Sequence, residues 1–151
     1  SRALADAGAR VETRTLRIEL VEDMALARGL GLADSAFIAV DRMRSLADTG
    51  RAISIERSRL PFLPELEDLP LRGLRDGSLH ETMRAAGLVP DHGEEWADIH
   101  RLGAADAALL GYDEGTAFLR TRRLARAADG RPIEHVVSLL DPAHFALHLE
   151  F

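Results

Sequence analysis

The sequence contains no cysteine and no lysine. Without cysteine there is no disulfide framework, no thiolate metal site and no cysteine nucleophile. Without lysine, all 19 basic residues are arginine, a bias that coding in a GC-rich genome suffices to explain. Any anion site in this chain must therefore be built from planar, forked guanidinium groups. No apolar run approaches the roughly 18 residues of a membrane-spanning helix. The opening Ser1-Arg2-Ala3-Leu4-Ala5-Asp6 lacks the basic-then-apolar layout of a signal peptide. These absences suit a cytoplasmic protein. There is no Gly-x-Ser-x-Gly elbow, phosphate loop or dinucleotide fingerprint. The six histidines, at 80, 92, 100, 135, 144 and 148, lack the spacing of zinc ligands, so neither a metal nor a cofactor is expected.

What is present fits one domain: 151 residues, 46 % hydrophobic and 29 % charged. The formal charge of −6 argues against direct DNA binding by this segment, because phosphate contacts need a concentrated basic face.

Leu16, Ile18 and Leu20 alternate with Arg17 and Glu19, which predicts a half-buried strand over 12–20. Met24, Leu26, Ala27 and Leu30 have helical spacing, with Gly31 where a helix stops. Strands are expected over 35–44 and 53–60 around a turn at 47–50. Pro61, Pro64 and Pro70 oppose regular structure as far as about Leu71. Ser78 can cap a short helix that stops at Gly87. A strand over 94–101, a helix over 105–110 and a hairpin of 116–126 with 132–140 follow. Phe145, Leu147, Leu149 and Phe151 alternate with polar or small residues, predicting a terminal strand over 145–151.

An internal repeat organises these elements. Leu30-Gly31-Leu32 to Ile38 parallels Leu110-Gly111-Tyr112 to Leu119, Gly50-Arg51-Ala52-Ile53 parallels Gly130-Arg131-Pro132-Ile133, and Ser58 parallels Ser138. Two copies are too few for a solenoid and suggest one pseudo-symmetric domain. The expected fold is α+β, a mainly antiparallel sheet with a few short helices, and a groove between the halves is a natural ligand site.

Several stretches carry a resemblance: Leu30-Gly31-Leu32, Arg42-Met43-Arg44, Glu56-Arg57-Ser58-Arg59-Leu60-Pro61, Pro64 to Leu69, Ser78-Leu79 and Asp129-Gly130-Arg131-Pro132-Ile133-Glu134. In order and spacing they resemble a UTRA domain, the effector-binding half of HutC-type regulators in the GntR superfamily. The resemblance implies a chorismate lyase-like fold, a homodimer, and a role in transcription regulation through a small-molecule effector. It also implies that DNA is contacted only through an N-terminal winged helix-turn-helix that is absent here, leaving residues 1–151 as one ligand-binding domain.

Arg42 and Arg44, two apart on a strand, project from one face, and paired guanidinium donors suit a carboxylate or phosphate. The plain alternative is a solvated strand face. Glu56 shares a face with Ser54 and Ser58 and can either orient a facing arginine or accept hydrogen bonds from an effector. Glu134 lies in an apolar strand, where an unpartnered carboxylate is costly. The resemblance implies that Glu134, Ser138 and Ser1 also contact the effector. Family members often carry tyrosine at the positions of His135 and Leu140, so this effector is expected to differ from the amino-sugar phosphates of some relatives. Arg123 reads as a structural brace, Arg120, Arg122 and Arg126 as solvent-exposed, and Trp96 as core or sheet-face packing.

The leading expectation is thus a sensor of a small, anionic metabolite, not an enzyme. A chorismate lyase-like enzyme and a dimerisation module with a degenerate pocket are the alternatives.

Overall fold

A computed structural model describes residues 4–6, 10–148 and 150. Ser1 lies outside them. The first repeat is a strand β2 (Val11–Glu22), a helix α1 (Met24–Leu30) and a hairpin of β3 (Ala36–Leu46) and β4 (Ala52–Pro61). The second is β5 (His92–Arg101), α4 (Ala104–Leu110) and a hairpin of β6 (Ala117–Arg126) and β7 (Pro132–Leu140). All six strands form one antiparallel sheet in the order β2-β3-β4-β7-β6-β5.

The two repeats meet at β4 and β7, each running outward from the centre. Register shows the pseudo-two-fold directly. Shifting by the spacing between Ser58 and Ser138 turns the pair Ser58–Val136 into Glu56–Ser138, so the axis passes through Arg57–Val137. Both hairpins therefore belong to one sheet, as the repeat implies.

Local chemistry sets the helix ends. Asp23 accepts a hydrogen bond from the Leu26 N–H at 2.9 Å, and Gly31 closes α1 in the left-handed region at φ 72°. Ser78 caps α3 (Leu79–Ala85) by accepting from the Glu81 N–H at 3.2 Å. The proline-rich segment is more regular than expected. It contains a 3-10 turn at Pro64–Leu66 and a short α2 at Leu69–Arg72, each with proline in its first positions. There a missing N–H breaks no helical bond, so proline starts these turns instead of preventing them.

The terminal strand is shorter than its alternation suggests. It covers Phe145–Leu147 and pairs with an unanticipated strand, Leu4–Asp6, so one of its edges is already occupied within the chain.

Alternation gives the sheet two distinct faces. On the first, Leu66 and Leu69 together with Leu79, Met83 and Leu88 pack over Ile38, Val40 and Leu60. Further along the same face, Ile53, Leu140 and Phe145 form a smaller cluster. On the second face, Ala107 and Leu110 of α4 pack against Met43, Ile55, Phe118 and Leu139.

Candidate ligand-binding site

Between the two apolar clusters of the first face runs a polar row. Arg42, Glu56, Ser138 and Thr121 are direct neighbours on β3, β4, β7 and β6. Arg42 Nη2 donates to Glu56 Oε1 at 2.5 Å. The guanidinium Nε is buried and has no partner. In the next row Ser58, with 0 % exposure, holds its hydroxyl without a partner as well. Buried polar atoms are nearly always paired in folded proteins, so two orphans in adjacent rows are exceptions to that rule.

Glu134 stands one row further along β7 and is buried. Among the described residues it makes no ion pair. Burial, and then the negative charge of Glu56, push its carboxyl up to about 7. Arg42, Arg123 and the Ser58 hydroxyl pull the other way, although Ser58 and Glu134 do not meet in hydrogen-bond geometry.

The structure thus brings Arg42, Glu56, Glu134 and Ser138 onto one face, the first, second and last of these in one row and Glu134 two rows along β7. Arg44 shares that face but sits nearer its end, opposite Ser54, with its guanidinium 5.8 Å from the Phe145 ring centroid. Leu140 is buried in the cluster around Phe145, which accounts for a hydrophobe there.

Arg123, the repeat mate of Arg42, pairs with Glu95 at 3.5 Å and is half-exposed. Arg120 is engaged rather than simply solvated, donating twice to Asp98 at 2.9 and 2.6 Å. Trp96 is not core. It is 42 % exposed on the edge strand β5, with the Arg122 guanidinium 4.7 Å over its ring. Ser58 and Thr121 escaped notice as site residues. The match of Ser58 to Ser138 in the repeat was the available signal.

A buried acid whose carboxyl is raised to about 7, a second acid paired with an arginine, and hydroxyls can bind and orient a small polar molecule. His135 points to the other face, where burial and then Arg122 and Arg59 disfavour its charged form. A shallow depression lined by His80, Met83, Arg84, Leu88, Val89 and Pro90 lies beside α3, away from these acids.

A polar row lies on one face of an antiparallel sheet built by two pseudo-symmetric halves. The UTRA domain model matches residues 6–146, and the chain belongs to that family. No curated protein sequence matches it. Among solved structures it is similar to the ligand-binding domain of a protein assigned to the GntR family of transcriptional regulators from Bordetella bronchiseptica. That match has 21 % identity and a TM-score of 0.85 over 99 % of this chain and 96 % of the other. It is also similar to PhnF from Mycobacterium smegmatis, at 21 % identity and TM-score 0.80, covering 93 % of this chain and 63 % of that one. The effector domain of PhnF matches at 23 % identity and TM-score 0.74, over 93 % and 83 % of the two chains. The α+β, chorismate lyase-like architecture is therefore that of GntR-family regulator domains.

Proposed function

We propose that this domain is the effector sensor of a HutC-type transcription regulator and binds a small anionic metabolite on the first face of its sheet. The carrying observation is the pair of orphaned buried polar atoms, Arg42 Nε and Ser58 Oγ, beside an unpaired buried acid. A folded domain tolerates such a cluster when a ligand completes it. Arg42 and Arg44 supply the anion contacts, Glu56, Glu134 and Ser138 the remaining polar ones, and Ser1 another where it is present. No residue is required to act as nucleophile or base, so the reading is not enzymatic.

Control of an operator follows from linkage. An effector that binds one conformation better than another by a few kcal/mol shifts occupancy of the DNA-binding state. DNA contact belongs to a winged helix-turn-helix on the N-terminal side, because this segment is acidic. Paired half-sites call for matched protein symmetry, so a cytoplasmic homodimer built through this domain belongs to the same reading. Sedimentation showing only monomer at tens of micromolar counts against the dimer.

The test is a thermal-shift screen of the domain against anionic metabolites, followed by calorimetry. A true effector at about 100 times its dissociation constant stabilises the fold by about 2.7 kcal/mol. Its binding should be lost in Arg42→Ala. A hit bound equally well by that variant would place the site elsewhere.

A further inference from the structure

The site sets two acids, Glu56 and Glu134, beside two arginines, Arg42 and Arg44, a balance of charge that does not favour a purely anionic occupant. Glu56 lies on β4 and Glu134 on the adjacent β7, and Ser58 stands in the row between them. Glu56 is already ion-paired with Arg42, whereas Glu134 has no ion pair among the described residues. The two carboxylates repel across Ser58, whose hydroxyl is buried without a partner.

Three acceptor groups, two of them acids, thus line one patch. An ionised carboxylate can only accept hydrogen bonds, and a hydroxyl can do so too. A primary ammonium offers three N–H donors and one positive charge. A ligand hydroxyl offers one donor and leaves the carboxylate repulsion in place. Arg42 Nε has the opposite need: it is a donor without an acceptor.

We infer that the effector is zwitterionic, seating a protonated amine at Glu56, Ser58 and Glu134 and an anionic group on Arg42. This rests on the reading of the first face as the effector site and narrows its chemical class. It also assigns Ser58 as a ligand contact, its hydroxyl taking one ammonium proton. The ammonium stabilises Glu134 as a carboxylate, so the amine is recognised by an acid that holds no structural ion pair.

Matched probes test it on the whole domain. Three series of equal chain length are compared by thermal shift and calorimetry: ω-amino acids, ω-hydroxy acids and plain carboxylates, each repeated with a phosphate in place of the carboxylate. The amino series should bind at least tenfold tighter than its hydroxy counterpart. Glu134→Gln, checked for fold by circular dichroism, should erase that preference at a cost of about tenfold to a hundredfold in amine affinity, the range for hydrogen bonds to charged groups. Glu56→Gln provides the same readout should Glu134→Gln fail to fold. Hydroxy or plain anions that bind as tightly as amines would overturn the zwitterion while leaving an anionic effector site standing. Silence in every series would remove both. An amine preference untouched by either variant would move the amine away from these acids.

Discussion

The two faces of the sheet carry charge in opposite ways, although the residues alternate along the same strands. On the second face Asp41, Arg17, Arg57 and Arg59 are all paired. Asp41 accepts from Arg17 Nε at 2.9 Å and from Arg59 Nη1 at 2.7 Å, and Arg57 donates twice to Asp106 of α4 at 3.3 and 2.8 Å. On the first face Arg42 keeps an unpaired Nε and Ser58 an unpaired hydroxyl, and Glu134 has no ion pair among the described residues. Satisfied buried networks hold a fold together, while unsatisfied ones cost stability and persist where binding is selected. On the proposed reading the second face is structural, and the first is held ready for a ligand.

The largest break in this contrast should come from Asp41→Ala. It leaves the half-buried Arg59 without a counter-charge and Arg17 with only Glu19, and stability should fall by about 3 kcal/mol. Urea denaturation measures it, and an unchanged midpoint would mean that the second-face network is idle.

Next comes the pH profile of the unliganded domain. The Glu134 carboxyl is raised to about 7 in the fold, against 4.5 as its ordinary value. Between these values the folded chain holds a proton that the unfolded chain has lost. Stability should therefore decline as pH rises from about 4.5 to 7, by at most about 3 kcal/mol, and Glu134→Gln should flatten that slope. Other titrating groups add to the total, so the comparison is between variant and parent at each pH.

A smaller effect is expected at the end of the first face. Arg44→Ala should weaken an identified effector by about tenfold to a hundredfold in calorimetry and leave circular dichroism unchanged. Equal affinity would make Arg44 a packing residue over Phe145.

Smallest is Arg57→Ala, which releases α4 from the sheet's second face. Both partners are partly exposed, so solvent screening keeps the loss to about 1 kcal/mol. Arg57 holds the Asp106 carboxyl below its ordinary range. The pair's contribution is present above that range and disappears as pH falls through the lowered value, where variant and parent should converge.

Much of the contrast was legible in the sequence. Strand alternation places Arg42, Arg44 and Glu56 on one face, and the internal repeat implies one pseudo-symmetric domain. The orphaned Ser58 was not legible, because it depends on β4 lying beside β7, a contact between distant segments that no local pattern encodes. The three-residue strand Leu4–Asp6 is too short to carry alternation, and it needs its partner to exist. Trp96 packs on the sheet face under Arg122 and not in the core, because residue type favours burial but β5 is an edge strand. In the proline-rich stretch Pro64 and Pro70 begin helical turns, where the missing N–H breaks no bond, so proline content alone does not reveal them.

The central claim is that the first-face acid is kept for a ligand and not for the fold. Urea unfolding of Glu134→Gln at pH 8, without ligand, tests it most directly. The account predicts a variant as stable as the parent or more so, since the substitution removes a buried, unpaired charge. A loss of 1 kcal/mol or more would show that Glu134 braces the structure, and the division between the two faces would no longer hold.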